Sequence, residues 1–361
     1  MALPSRLPRR RHLGPLLILA LPLLLAACGS AGGKGDGGPA TTNPGGTLPP
    51  VSVPVTVLGG QGTPKGANPE VEVTVGSSPP VRVLLDTGSV GLHVFAPAIR
   101  TGPGSGVTAT TTRNTITYAG GSVFTGVVAD AVVTIGSQAT ARPVPFGLIT
   151  STSCDAAKPT CPTAAGITAA IAAGDDGILG IAMNTSGQDL ASPILGMPGS
   201  LGQTWSLHLS GSSGTLVLGA PLPTGPTVTT IPLRSLGTTG GTAFWGDSSI
   251  SLCVAVGTTR GCVPGLLDSG TAAVQLHGTP LAGAPVTAGT STVTPGLPLS
   301  VSLPGAATPF WSFTTGTSRS ENLVMVQAQK TPFVNLGVAG FYAFTVTYDE
   351  PAGTETLLPG G

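Results

Sequence analysis

Short runs of apolar residues, separated by glycine, proline and asparagine, recur along the chain from Val51 onward. Some alternate apolar with polar positions, as in VEVTV at 71–75 and FYAFTVTYD at 341–349, and others are nearly continuous, as in VRVLLD at 81–86. Period-two alternation is typical of half-buried strands, and the turn residues between the runs favour antiparallel pairing. Only TAAGITAAIAA at 163–173 has the spacing of a helix. The pattern predicts an all-β protein.

Two of the apolar runs end in the same kind of polar string. VLLDTGS at 83–89 recurs as GLLDSGT at 265–271, about one domain length later. Either string alone is more often a plain turn after a strand, but two copies indicate a shared purpose. Two carboxylates a few ångströms apart share one proton, because like charges that close cannot both ionise. The strings therefore predict that Asp86 and Asp268 form a catalytic pair.

The chemistry open to such a pair is hydrolysis by an activated water. The ionised carboxylate takes a proton from the water, while the protonated carboxyl polarises the carbonyl that the water attacks. Glycine next to each aspartate lets the backbone approach the carboxylates closely, and the neighbouring hydroxyls can donate hydrogen bonds to them. No Gly-x-Ser-x-Gly string is present to supply a serine nucleophile.

Composition excludes several other classes of protein. The 361 residues include only 15 basic and 15 acidic side chains, so the chain lacks the basic surplus that nucleic-acid binding requires. Hydrophobic residues make up 40%, which is enough to bury a sizeable core. Beyond the N-terminus no apolar run approaches the length of a membrane span. High glycine and proline contents argue against a helical bundle or a coiled coil.

The N-terminal residues have the layout of an export signal. Four arginines within residues 6–11 precede an apolar run from Leu13 to Ala27, and the run ends LAACG at 25–29. This ending resembles the lipobox of bacterial lipoproteins, which implies cleavage after residue 27 and a lipid on Cys28. Residues 28–50 are rich in Gly, Pro and Thr and are interpreted as a flexible tether. We therefore expect a lipid-anchored protein on the outer side of the membrane in a bacterial cell envelope.

Four further cysteines fit two disulfides in that oxidising compartment. They allow three pairings, of which the short loops Cys154–Cys161 and Cys253–Cys262 are the most economical. Zinc is the competing use, but the spacings differ from those of finger-type sites and no histidine is close in sequence. The expectation is no metal and no organic cofactor.

Taken together, these segments resemble the pepsin-like aspartic endopeptidases over approximately residues 70–358. The similarity includes the two Asp strings, a flap-like hairpin at 115–136, DDGILGIA at 175–182 and VNLGVAGFYAFTVTYD at 334–349, in the family's order. The resemblance implies a two-lobed fold with the cleft between the lobes, one lobe at 51–210 and the other at 211–361. It also implies a monomeric endopeptidase that cleaves polypeptides beside hydrophobic residues.

The resemblance assigns roles to individual residues. Asp86 and Asp268 correspond to the catalytic pair, supported by Thr87, Gly88, Ser89, Ser269, Gly270 and Thr271. Tyr118 corresponds to the flap tyrosine and Gly120, Gly121 and Ser122 to the flap tip. Phe146 and Ile178 correspond to the apolar pocket beside the cleaved bond. The Cys253–Cys262 loop also fits, because the family often has a small disulfide loop before its second aspartate.

Two residues depart from the family pattern. His93 stands where a tryptophan commonly braces the flap tyrosine, and Asn335 stands where an apolar residue is expected. Two alternatives stay open, and these departures motivate the first of them. One is an inactive descendant that binds peptides or envelope components in the cleft, and the other is a structural surface protein whose Asp strings are only turns.

Overall fold

A computed structural model describes residues 46–59, 67–174, 176–184, 190–239, 241–318 and 321–360. The predicted signal peptide, Cys28 and most of the tether lie outside these residues. The last five tether residues are exposed, and the tether's Leu48 N–H donates to Ser200 Oγ at 2.9 Å.

Strands make up most of the regular secondary structure of the described chain, which bears out the all-β expectation. In the N-terminal part the strands are β1 Val51–Leu58, β2 Asn68–Val75, β3 Val81–Asp86, β4 Val90–Phe95, β5 Thr108–Thr117, β6 Ser122–Ala131, β7 Val133–Ile135, β8 Gln138–Ala139, β9 Val144–Cys154, β10 Gly177–Ile181, β11 Thr204–Ser210 and β12 Ser213–Leu218. In the C-terminal part they are β13 Thr229–Pro232, β14 Ser235–Thr239, β15 Thr242–Trp245, β16 Ile250–Val256, β17 Thr259–Leu266, β18 Val274–His277, β19 Pro298–Ser302, β20 Trp311–Thr314, β21 Val324–Gln327, β22 Phe333–Asn335, β23 Phe344–Asp349 and β24 Thr354–Pro359. The α-helices are α1 Ile167–Ala172, inside the segment expected to be helical, and α2 Ala339–Ala343, which the pattern did not predict.

The strands follow the alternation seen in the sequence. In β1 the side chains of Val53, Val55 and Val57 are buried while those of the intervening residues are exposed. In β4, by contrast, every residue is buried, so both faces of this strand are covered, and β3 is buried except at the exposed Arg82 and the half-buried Leu84. Burial of each such valine or leucine contributes about 1.5–3 kcal/mol, so the continuous apolar runs mark the centre of the molecule.

Two large sheets carry the fold. The first runs in the order β13-β24-β23-β11-β12-β1-β2-β3-β10-β4-β9-β6-β5, with β7 and β8 attached through β2. The second runs β20-β19-β16-β17-β22-β18-β21, and β14 and β15 form a separate hairpin. Each large sheet contains one of the two Asp strings, which is the two-lobed arrangement.

The expected lobe boundary at residue 210 falls in the turn between β11 and β12. These two strands pair with each other over their length, from Trp205 with Leu218 to Ser210 with Ser213. The C-terminal strands β23 and β24 return to the same sheet, where the stacked rings of Trp205 and Tyr348 have centroids 5.6 Å apart. The chain therefore crosses between the lobes more than once.

The short-range disulfides are confirmed: Cys154 is bonded to Cys161 and Cys253 to Cys262. The second disulfide joins directly opposed residues of β16 and β17. Within the part of the chain that the structure describes, no helix has the length and apolar character needed to span a membrane.

Candidate active site

The two Asp strings occupy matching positions in the two sheets. Asp86 is the last residue of β3, and β10 runs parallel beside it with Ile178 opposite Leu84. Asp268 follows the end of β17, and β22 runs parallel beside that strand with Asn335 opposite Leu266. Each aspartate thus emerges from a central strand that is fixed on its flank by a parallel neighbour.

Hydroxyl groups hold the two strings to each other across the lobes. The Thr87 N–H donates to Ser269 Oγ at 3.0 Å, and the Ser269 N–H donates to Thr87 Oγ1 at 2.9 Å. In turn the Thr87 hydroxyl donates to the Leu267 carbonyl at 2.9 Å, and the Ser269 hydroxyl donates to the Leu85 carbonyl at 2.6 Å. All four bonds are buried, so losing one partner leaves an unsatisfied group that costs about 1–3 kcal/mol.

Each carboxylate is oriented by its own string in the same way. Asp86 accepts from the Gly88 N–H at 2.8 Å and from the Ser89 hydroxyl at 2.6 Å. Asp268 accepts from the Gly270 N–H at 2.8 Å and from the Thr271 hydroxyl at 2.7 Å. The two carboxylates are therefore related by an approximate twofold axis.

The glycines allow the two carboxylates to meet. A methyl group at Gly88 would lie 2.6 Å from Cγ of Asp268, and one at Gly270 would lie 2.7 Å from Cγ of Asp86. Any larger residue at either position would collide with the opposite carboxylate, which explains why both strings carry glycine there.

The electrostatics are those of a pair that shares one proton. Burial, and then the charge of Asp268, raise the pKa of Asp86 from 3.8 to about 8, against the lowering effect of the Ser89 hydroxyl. Tyr118 lines the same cleft as this pair, and burial, and then the Asp86 charge, raise the pKa of Tyr118 well above its usual value. Asp86 accordingly keeps a proton in mildly acidic solution.

A cleft of about 490 Å³ opens over the pair, with the β5–β6 hairpin as its flap. Polar and apolar side chains both line it, as in most small-ligand sites. Its lining includes Asp86, Asp268, Tyr118, Ile178, Phe95 and Phe124. The Tyr118 and Phe124 rings meet edge to face, with centroids 5.0 Å apart.

The flap tip is tied to the disulfide loop at 154–161, which we call the brace loop. The Asp155 N–H donates to the Gly121 carbonyl at 2.8 Å, and the Lys158 ammonium donates to the Ala119 carbonyl. Gly121 has φ +91°, and a side chain there would collide with Lys158. Ser122 pairs directly with Cys154. The predicted tip residues therefore form the contact between the flap and the wall of the first lobe.

A second group of acidic residues is buried away from the pair. Asp247 accepts hydrogen bonds from the Met183 N–H and the Asn184 side chain, and burial raises its pKa to about 6. Burial, and then the Asp247 charge, raise the pKa of Glu355 well above its usual value. Among the described residues no cluster of His, Cys, Asp or Glu could hold a metal ion.

Comparison with known proteins agrees with this geometry. A family model described as the PE-PGRS C-terminal aspartyl peptidase-like domain matches residues 51–357. The chain belongs to this family. The crystal structure of the aspartic proteinase from Irpex lacteus is 18% identical, covers 87% of this chain and 98% of its own, and has a TM-score of 0.56. No curated protein matches the chain.

One pocket residue of this aspartyl peptidase-like domain was assigned wrongly from the sequence. Phe146 is completely buried in the main core and is not part of the cleft lining, whereas Ile178 does line it. The run PFGLI in β9 is nearly continuous, with 146–149 buried throughout, so its pattern does not show which side chain faces the cleft. Phe95 and Phe124 supply the aromatic surface expected from Phe146.

His93 does not brace the flap tyrosine by a hydrogen bond. Its ring meets the Tyr118 ring edge to face with centroids 6.3 Å apart, and the buried Tyr118 hydroxyl has no hydrogen-bond partner among the described residues. Burial lowers the pKa of His93 to about 4, so the imidazole is neutral over most of the acid range. Packing alone, rather than a hydrogen bond, connects these two rings.

The sequence also gave no role to Asn335 in this domain. Its side-chain amide donates to Asp268 Oδ2 at 2.6 Å, so the residue that departs from the family pattern contacts the aspartate pair directly. A position-by-position comparison of the two Gly strings, Ile178-Leu179-Gly180 and Asn335-Leu336-Gly337, contains the signal that a polar group stands at this point in one lobe only.

Proposed function

We propose that this protein is an aspartic endopeptidase in which Asp86 and Asp268 activate one water molecule for attack on a peptide bond. The observation that carries the proposal is the approach of two buried carboxylates in one cleft, where each lies against the glycine of the opposite string and the charge of Asp268 acts on Asp86. The fold alone does not require such a contact, because turns after strands seldom bring two acids together.

The mechanism follows from the shared proton. The ionised member of the pair takes a proton from water, and the resulting oxygen attacks the carbonyl carbon. The protonated member donates to the carbonyl oxygen, so no charge builds up on the tetrahedral intermediate. The first aspartate then passes its proton to the amine nitrogen as the C–N bond breaks, and a hydroxyl of the gem-diol returns a proton to the second aspartate, which restores the pair. Tyr118 covers the reacting atoms and excludes bulk water.

The cleft indicates which substrates fit. Phe95, Phe124 and Ile178 form an apolar surface beside Asp86, which favours cleavage next to hydrophobic residues. The proposed substrate is an extended polypeptide that binds between the lobes. The enzyme is proposed to act as a monomer. No metal or organic cofactor takes part in the proposed reaction.

The purified protein is expected to cleave an unfolded polypeptide between about pH 3 and 7, where such a pair is singly ionised. A statine-type inhibitor, whose hydroxyl mimics the tetrahedral intermediate, should block the reaction. Sequencing the products should find hydrophobic residues beside the new termini.

A folded protein that binds peptides without cutting them would instead support the inactive descendant, which the unbonded Tyr118 hydroxyl favours. Cleavage blocked by a chelator but not by the inhibitor would contradict the mechanism.

We also propose that the protein acts outside the cytoplasm, held to the bacterial envelope by a lipid on Cys28. The support is the signal-like N-terminus with its LAACG ending, together with two disulfides that need an oxidising compartment. Wild-type protein is expected to partition into detergent and to incorporate a labelled fatty acid, and a Cys28→Ser variant to do neither. Equal labelling of the two proteins would rule out this anchor.

A further inference from the structure

Among the described residues that donate hydrogen bonds to the two aspartates, Asn335 is a donor without a polar counterpart in the other lobe. It ends β22, and only 7% of its surface is exposed. Its counterpart in the other lobe is Ile178: Asn335 lies opposite Leu266 on β17 as Ile178 lies opposite Leu84 on β3. An apolar residue therefore flanks one aspartate and an amide flanks the other.

The orientation of the Asn335 amide is fixed by its neighbours. The Gly337 N–H, which can only donate, donates to Asn335 Oδ1 at 2.8 Å. Nδ2 consequently faces the catalytic pair, where it donates to Asp268 Oδ2 at 2.6 Å and lies 3.2 Å from Thr271 Oγ1. Asn335 Nδ2 can only donate a hydrogen bond. A proton on Asp268 Oδ2 would therefore face a second donor, which disfavours protonation of that oxygen.

The donors to the two aspartates are unequal as a result. In the described chain Asp86 accepts from one N–H and one hydroxyl, whereas Asp268 accepts from one N–H, one hydroxyl and the Asn335 amide. Each donor stabilises the charged form of the carboxylate that it contacts. Ile178 can supply no such bond to Asp86, whose pKa is raised by burial.

We propose that Asn335 is a positioning residue that keeps the negative charge of the pair on Asp268 and the shared proton on Asp86. The inference rests on the proposed function, because it divides that reaction between the two aspartates. Asp268 takes the proton of the attacking water, and Asp86 gives its proton to the carbonyl oxygen. Asp268 then passes its proton to the leaving amine, and the gem-diol hydroxyl returns one to Asp86.

The first test reads the charges directly and needs no turnover. The carboxyl carbons of ¹³C-labelled aspartates are followed by NMR in the wild-type protein, with Asp86→Asn and Asp268→Asn used for assignment. At about pH 5 we expect the Asp268 signal in the ionised position and the Asp86 signal in the protonated position. The opposite order, or equal sharing, would overturn the proposal even if no variant of Asn335 can be folded.

The second test uses Asn335→Ile, which gives the second lobe the residue found at the mirror position. The acid limb of kcat/KM should move up by about one pH unit, so activity falls about tenfold at the acid end and recovers at higher pH, while KM changes little. Gln327→Leu removes an amide from β21, which pairs with β18 rather than with β22 and lies outside the cleft lining, and it should leave the profile unchanged. An equal loss at every pH would show that Asn335 only supports the fold.

The two tests separate the inference from the proposed function. If the wild-type protein cleaves nothing but its carboxyls ionise in the expected order, the endopeptidase proposal fails and the charge assignment stands. If cleavage occurs but Asn335→Ile has the wild-type pH profile, the endopeptidase stands and the role of Asn335 is wrong.

Discussion

Replacing Asp86 or Asp268 by asparagine is expected to lower kcat/KM by about 10⁴-fold or more. The amide can neither take a proton from water nor give one to the carbonyl oxygen, and the remaining aspartate loses the partner with which it shares its proton. Binding of a cleft-directed inhibitor to a folded variant, measured by calorimetry, shows whether the cleft survives. Activity should vanish while the inhibitor still binds, although more weakly.

The same substitution should make the fold more stable. At about pH 6 the buried Asp86 carboxyl is held protonated at a free-energy cost, because its pKa of about 8 is far above the 3.8 of the unfolded chain. Asp86→Asn removes this cost and should raise the free energy of unfolding by on the order of 2 kcal/mol. Asp349→Asn, a buried aspartate outside the cleft lining, is the matched control and should keep full activity. Loss of activity together with loss of stability would mean that Asp86 is only a structural turn residue.

The second large effect expected is a loss of stability as the pH rises from about 4 to about 8. The pKa of Asp86 is raised from 3.8 to about 8, that of Asp247 from 3.8 to about 6, and that of Glu355 well above 4.5. In this window the folded chain binds more protons than the unfolded chain, so the stabilisation is complete below about pH 4 and is lost toward the folded pKa values. From Asp86 alone, the free energy of unfolding should fall by on the order of 5 kcal/mol across this window, and Asp247 and Glu355 add to the fall.

Denaturant titrations at a series of pH values measure this slope. Asp247→Asn should flatten the curve of unfolding free energy against pH between about pH 4 and 6, because it removes the carboxyl whose pKa is raised to about 6. Asp86→Asn should flatten the part of the curve that extends toward pH 8, for the same reason. Stability that is constant or rises over this range would show that the buried carboxyls are charged in the folded protein. A protein so dependent on protonated carboxyls is suited to acidic surroundings.

The sequence predicted those parts of the molecule that depend on local pattern. The strands follow from apolar alternation, and the pairing of Asp86 with Asp268 follows from a string that occurs twice. The short disulfides were favoured because few residues separate the cysteines. Ile178 was placed correctly in the cleft because it begins the string Ile178-Leu179-Gly180, whose strand β10 pairs with β3 beside Asp86.

Features that depend on which strands become neighbours could not be predicted. Phe146 and Phe95 are both aromatic and both lie in nearly continuous apolar strands, and only the packing of the sheets turns Phe95 toward the cleft. The return of β23 and β24 to the first sheet is a pairing between residues more than a hundred positions apart. The sequence showed only that Asn335 departs from the family pattern. Its hydrogen bond to Asp268 depends on how β22 packs beside β17 in the folded chain.

The brace loop has a consequence for the way in which substrates enter. A hinged lid must be ordered each time it closes, whereas a flap already bonded at its tip through Gly121 and Ala119 loses little freedom when a peptide arrives. In the proposed endopeptidase the flap would then stay in place over the cleft, and an extended polypeptide would enter beneath it from one end. For the proposed endopeptidase, the expected substrates are therefore chain ends and unfolded stretches of polypeptide.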